Sequence, residues 1–376
     1  MDQIEARKLF PHIGKGIIYL NHAATGPFSQ RVLDVMQEYF RTRSEDNIDD
    51  YPSFVQITEE TKDLLATALN TDKGRIAFAD NTTNGLNLLA QGLHWDAGDE
   101  LILNDLEFPA NIYPFMNLEK KGVKIVIVKS RDGIVSAEDI IEKFNSKTKL
   151  VSVSMVQFLT GYRIDLEKLG EACKAKGIIL SVDAIQGLGA LKLDVNKCNI
   201  DFVSCGTQKW MLGMQGLSFI YIDEKLQQKI DPVYVGWLGV NDGWDLLDYN
   251  LSLKDNAERF QPGSLNSAGI YALNASLKLF RDFGVDKVEE QVISNSRLLI
   301  SELQKIGITP FLSEINHKYL SGIVSFKHAE AYSILEVLKN KKIELAVREG
   351  IVRISPHFYN NESDIGGLID GLKILI

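Results

Sequence analysis

One lysine, Lys209, stands in the stretch "SCGTQKWMLG" between two runs without charge, "FVSC" and "LSFIYI". A free lysine has a pKa of about 10.4, so near pH 7 only about one in a thousand is the neutral, nucleophilic amine. Holding the amine as a Schiff base with an aldehyde removes that limit. An acid, Asp183, closes the run "IILSVD" 26 residues upstream, and Thr82 and Thr83 in "DNTTNG" follow the run "RIAFAD". A helix that begins on those threonines offers free N–H groups and the positive end of its dipole to an anion. Pyridoxal phosphate asks for this set: the lysine, an acid beside its pyridine nitrogen, and a place for its phosphate.

Each feature also has an ordinary reading. Lys209 is then a solvated loop lysine, Asp183 a turn former or helix cap, Thr82 and Thr83 plain N-caps, and Gln186 a polar loop residue. Rival phosphate motifs do not fit. In "IQGLGALK" the third glycine of a dinucleotide fingerprint falls on Lys192, and no G-x-x-x-x-G-K followed by Ser or Thr occurs. The six histidines form no H-x-x-x-H or other ligand pair, so no metal is expected.

The elements that must position these residues are legible between about residues 74 and 222. Seven short runs, "RIAFAD", "ELILND", "VKIVIVK", "KLVSVSMV", "GIILSVDA", "IDFVSCG" and "LSFIYI", are rich in Ile and Val, and several lack polar alternation. Strands buried on both faces of a mostly parallel sheet read this way. Amphipathic segments such as "SAEDIIEKF" and "LEKLGEACKAKG" separate most of them, the latter closing on Gly177. An α/β sheet with helices on both faces follows. The last two runs lack a crossover helix, so an antiparallel strand is expected to end the sheet. In such sheets ligands collect at the carboxyl ends of the strands, which puts Asp183, Lys209 and the threonines on one edge. Beyond "RFQPGSLNS" a helical pattern runs from about Ala268 to Phe283, and "VEEQVISNSRLLISELQKIG" continues into a smaller α+β portion.

The formal net charge of −9 and a pI of about 5.3 argue against a nucleic-acid partner. Three cysteines without a C-x-x-C pair point to a reducing compartment. No apolar run approaches the roughly 20 residues of a membrane span, and the first residues lack the marks of a signal peptide. A cytoplasmic protein without a membrane partner is the expectation.

In the same order along the chain, "YLNHAATGP", "DNTTNG", "LEFPANIYPF", "SMVQFLTG", "SVDAIQ", "GTQKW", "RFQPGSLN" and "GIVRIS" resemble the motifs of the class V aminotransferase group of fold-type I pyridoxal-phosphate enzymes. That group includes cysteine desulfurases, isopenicillin N epimerase-like proteins and kynureninase-like lyases. The resemblance implies a seven-stranded, mostly parallel sheet flanked by helices in a large domain over 20–265. Residues 1–19 and 266–376 would form a small domain. It makes Lys209 the Schiff-base lysine and Asp183 the partner of the pyridinium nitrogen. Gln186 would contact the phenolic oxygen, and Thr82, Thr83 and Gln208 would hold the phosphate. Phe108 would stack on the ring and Gln157 would lie near it. Ser264 would reach the phosphate of a second subunit in a homodimer, with Trp237 at the same interface. Arg353 would fork onto the carboxylate of a small amino-acid substrate, with Arg348 nearby.

The chain departs from the desulfurase pattern. A mobile nucleophilic cysteine belongs in the loop before the carboxylate arginine, and here that region reads "LAVREGIVRIS". Gln208 and Phe108 replace histidines that desulfurases keep. Transamination is therefore the expected reaction, with epimerisation or lysis as alternatives and desulfuration behind them. A binding or regulatory protein without turnover is the alternative outside enzymes. The joint presence of Lys209, Asp183 and Arg353 argues against it.

Overall fold

A computed structural model describes residues 1–374 of the 376-residue chain. Its strands, in chain order, are β1 (Ile18–Tyr19), β2 (Ile76–Ala79), β3 (Glu100–Asn104), β4 (Lys124–Val128), β5 (Thr148–Ser154) and β6 (Ile179–Asp183). They continue with β7 (Phe202–Gly206), β8 (Ser218–Ile222), β9 (Val324–Lys327), β10 (Ile343–Glu344), β11 (Ala346–Arg348) and β12 (Ile351–Ile354). The strands β2 to β8 build one sheet in the order β2-β8-β7-β6-β5-β3-β4. They are the seven runs recognised in the sequence. Pairing is parallel from β4 through β3, β5 and β6 to β7.

The antiparallel strand does not end the sheet: β8 lies inside it, antiparallel to both β7 and β2. The link from β7 to β8 is too short for a crossover, so β8 can only fold back alongside β7. Its outer edge then pairs with β2, the first strand of the sheet in chain order.

Covered faces explain the strands without alternation. Every residue of β3, β7 and β8 is buried. Successive side chains enter opposite layers: Ile102, Val151 and Val203 join one apolar cluster, while Leu101, Leu103, Leu150 and Phe202 join another. The helix Leu166–Lys176 ends on Gly177 at φ 69°, the left-handed cap its sequence calls for. "SAEDIIEKF" gives less helix than its pattern promised. A Ser136–Asp139 capping box starts it, and it stops after Ala137–Ile141.

The C-terminal part opens with the helices Ser267–Phe283 and Val285–Lys305 and carries a second sheet in the order β11-β12-β9. The N-terminal arm packs on it. β1 pairs with β10, and Arg7 donates to Asp364 at 2.6 Å. The helix Ser267–Phe283 also packs on the helices Gln30–Arg41 and Tyr51–Leu69, tying the two parts together. We propose the division into 20–265 against 1–19 plus 266–376 on the strength of the arm contacts.

Candidate active site

The carboxyl ends of the parallel strands form one edge. Register sets Ser154 of β5 beside Asp183 of β6, and Asp183 beside Ser204 of β7. Lys209 stands in the turn that leaves β7. Asp183 is 2 % exposed, and its Oδ1 accepts the Ile185 N–H at 3.0 Å. It therefore does form the local turn that its position allowed. Its Oδ2 makes no hydrogen bond among the described residues. Burial pushes this carboxyl up, and the charge of Glu107 pushes the same way. Burial pushes the Lys209 ammonium down; Asp183 opposes that and Arg353 adds to it. The lysine is thus far from a solvated loop cation, and its neutral amine is favoured relative to a free lysine.

The helix Thr82–Gly92 starts at the same edge. Asn81 takes the N-cap, its side chain accepting the Asn84 N–H at 2.9 Å. Thr82 and Thr83 are therefore not the caps; they are the first helical residues, whose N–H groups precede the helix ladder. Gly206 N–H donates to Thr82 Oγ1 at 2.9 Å and Ser204 Oγ donates to the Thr82 carbonyl at 2.9 Å, which fastens the helix start to β7. A Cβ on Gly206 would lie 2.7 Å from Gln208 Oε1 and 3.1 Å from Thr82 Oγ1. With Ile185 Cδ1 at 2.9 Å as well, there is no room for a side chain at 206, and β7 lies close against the helix start.

Phe108 is 46 % exposed and meets Phe158 edge to face at 5.3 Å, so it is no core phenylalanine. Lys209 Nζ sits 5.7 Å from its ring centroid. Gln186 is a buried tie rather than a loop polar group. Its Nε2 donates to the Ala23 carbonyl at 3.0 Å, and its Oε1 accepts from the Trp210 indole at 2.9 Å. The arm carrying "NHAATG" lies on the lysine turn, with Gly26 N–H donating to the Gln208 carbonyl at 2.8 Å. A Cβ on Gly26 would come against the Lys209 carbonyl at 2.3 Å, so only glycine permits this approach. Gln157 is 1 % exposed, directs its Nε2 at Asn104 and Glu107, and leaves Oε1 buried without a partner.

Arg353, on β12, is 3 % exposed. Its Nη1 donates to the Phe158 carbonyl at 2.8 Å, its Nε is buried without a partner, and no carboxylate pairs with it among the described residues. Burial, with Arg348 adding, pushes the guanidinium down to about 10. A buried cation this poorly matched could be compensated by an anion. Arg348 is exposed and donates only to its neighbour's carbonyl, that of Val347. The hairpin between β11 and β12 turns on Glu349 and Gly350 alone, at φ 50° and 72°.

Ser264 does not join this group. It is exposed and lines a separate cleft of about 970 Å³ with Trp237, Trp244 and Tyr51. Cys205 is sealed in β7 with its thiol pushed well up by burial; Cys173 and Cys198 are buried too, pushed up to about 12 and about 11. Sequence reasoning passed over Glu107, a buried carboxylate directly before Phe108. A charge inside "LEFPAN", in the loop after a strand of the site, was the available signal.

These residues fit pyridoxal phosphate on three observations: an amine with lowered basicity beside a buried acid, a helix start whose first N–H groups lie outside the helix ladder, and a buried guanidinium with no carboxylate partner and an unpaired Nε. The family model described as aminotransferase class-V matches residues 18–368. The chain is 31 % identical to a probable cysteine desulfurase of Mycoplasma genitalium, over 93 % of this chain and 86 % of that protein. It is 25 % identical to the uncharacterized aminotransferase YcbU of Bacillus subtilis, over 97 % of this chain and 95 % of that one. The apo structure of a cysteine desulfurase from Thermococcus onnurineus superposes with a TM-score of 0.89 at 24 % identity, covering 99 % of this chain and 97 % of the other. That likeness establishes the fold.

Proposed function

Because the chain belongs to the class-V aminotransferase family, an enzyme family that works with pyridoxal 5′-phosphate, we propose that it acts at the Cα of a small amino acid, by transamination. Bound pyridoxal phosphate supplies an electron sink for the charge left at Cα. Lys209 holds the cofactor and, as a free amine, takes and returns the Cα proton. Asp183 keeps a proton on the ring nitrogen. Thr82, Thr83 and Gln208 hold the phosphate, Phe108 covers one face of the ring, and Gln157 and Gln186 line its polar edge. Arg353 receives the substrate carboxylate. The observation that carries the reading is that buried guanidinium without an anion, close enough to Lys209 for its charge to lower the amine's basicity.

Relatives carry both aminotransferase and desulfurase names. The thiols favour the first. A persulfide-forming enzyme needs an accessible thiolate, and all three cysteines are buried with raised pKa. The turn before Arg353 offers only Glu349 and Gly350. The test is to add amino acids singly to the holoenzyme and follow conversion of the cofactor to pyridoxamine phosphate. Conversion supports transamination. Sulfide with alanine, a racemised amino acid, or an eliminated side chain assigns the site to desulfurase, epimerase or lyase instead. Arg353→Ala should raise KM about 10- to 100-fold, the loss of roughly 1.5–3 kcal/mol in charged hydrogen bonds, and spare the cofactor's absorption. An unchanged KM would remove Arg353 from the substrate site.

The proposal includes a homodimer in which Ser264 of one copy completes the phosphate site of the other. Supporting it, Tyr234, Trp244, Leu247, Tyr249 and Leu251 are each more than 60 % exposed around the Ser264 cleft and its flanking loop. No helix among the described residues is long and apolar enough to cross a membrane. The three unpaired cysteines suit the cytoplasm.

A further inference from the structure

Glu107 is a carboxylate that is 7 % exposed and has no cationic partner among the described residues. Donors surround it instead. Oε1 accepts from Asn104 Nδ2 at 2.6 Å, from the Ser154 N–H at 2.9 Å and from Gln157 Nε2 at 3.2 Å. Oε2 accepts from Asn111 Nδ2 at 2.9 Å and from the Ser154 hydroxyl. Five donors on two oxygens fill an acceptor-only group.

The polarity of this network is fixed from outside. The Leu106 N–H donates to Asn104 Oδ1 at 3.0 Å, so Asn104 must turn its NH₂ toward Glu107. Gln157 then meets two acceptors, Glu107 Oε1 and Asn104 Oδ1, and can present only its NH₂ to them. The opposite end of the amide, Oε1, is buried without a partner. Reversing the amide would set carbonyl against carboxylate in a buried place, where unpaired polar groups are strongly disfavoured. The next residue, Phe158, touches Phe108 with its ring and Arg353 with its carbonyl, so Gln157 directly precedes the residue that joins those parts of the site.

We infer that Glu107 is a positioning residue: it locks Gln157 with its carbonyl oxygen toward the site, so position 157 accepts a hydrogen bond from a hydroxyl or protonated nitrogen of the bound cofactor and substrate. This rests on the pyridoxal-phosphate reading. Glu107 touches neither partner and acts through Gln157.

The experiment is a pH titration of the visible absorption band of the holoenzyme, for the wild type, Glu107→Gln, Gln157→Leu and the double variant. The Glu107→Gln substitution brings a donor where the carboxylate had none and frees Gln157 to turn its NH₂ outward. Both single variants should lower the midpoint by about one pH unit, because each removes an acceptor from a protonated group. The double variant should show no further fall, since the two act through one contact. An additive fall would mean that Glu107 works through its own charge, and an unmoved midpoint in Gln157→Leu would mean that Oε1 accepts nothing; either overturns the inference. A wild type with no band would overturn the cofactor reading instead. The amide is then read without cofactor by hydrogen exchange of the Gln157 side-chain NH₂ in ¹⁵N-labelled protein. Slow exchange in the wild type and fast exchange in Glu107→Gln supports the lock, and fast exchange in both refutes it.

Discussion

Lys209→Ala is expected to lower kcat by at least about 10³-fold, because in the proposed mechanism it removes both the covalent anchor of the cofactor and the base at Cα. The variant should still fold. Lys209 makes no side-chain hydrogen bond among the described residues, and its turn is held by backbone contacts with Gly26, Leu212 and Thr207. It should still take up cofactor through the helix start at Thr82 and through Asp183, but without a covalent bond, so gel filtration in denaturant should strip it. A small primary amine in the buffer should restore part of the turnover. Lys209→Arg should not be rescued, since a guanidinium keeps its proton and fills the space. Activity within about tenfold of wild type in Lys209→Ala would remove the lysine from the chemistry.

Asp183→Asn carries the second large effect. Asparagine keeps the oxygen that accepts the Ile185 N–H, so the turn after β6 survives. Only the charge is lost. In a site this buried, a fixed charge facing a developing one is worth about 10²- to 10³-fold in rate, and kcat should fall by that amount while KM moves little. The sign of the wild-type carboxyl's shift bears on this. Burial raises it, so the ionised form is disfavoured until a cation stands beside it. In the proposed site a protonated ring nitrogen would supply that cation, and the wild type should then gain more thermal stability from cofactor than Asp183→Asn does. Equal gains in the two proteins, with an unchanged kcat, would show that the carboxylate faces no cation.

The parts legible in the sequence were those whose physics is local. Runs such as "LVSVS" declare a strand covered on both faces by carrying only apolar and small residues. Lys209, Asp183 and Arg353 stand out because a charge in or beside such a run needs a reason. Strand order was not legible at the β2 edge, since nothing in "LSFIYI" tells which neighbours it will have. The site's polar wall was hidden for a similar reason. Glu107 and Gln157 are 50 residues apart, and their bond exists only because β3 and β5 are neighbours. The orientation of one amide then follows from a backbone N–H at Leu106, which no side-chain pattern reveals. Ser264 is the opposite case: recognisable from its motif, yet outside the lysine site of its own chain, where only a second copy would give it a role.

Everything proposed for the site depends on Lys209 carrying the cofactor covalently. Purified protein incubated with pyridoxal 5′-phosphate should be reduced with borohydride, digested and mapped by mass spectrometry. One stoichiometric phosphopyridoxyl adduct is expected, on the peptide containing Lys209, and none in Lys209→Ala. A wild-type protein with no adduct, or with scattered adducts on surface lysines at the same level as the variant, would show that the lysine does not hold the cofactor.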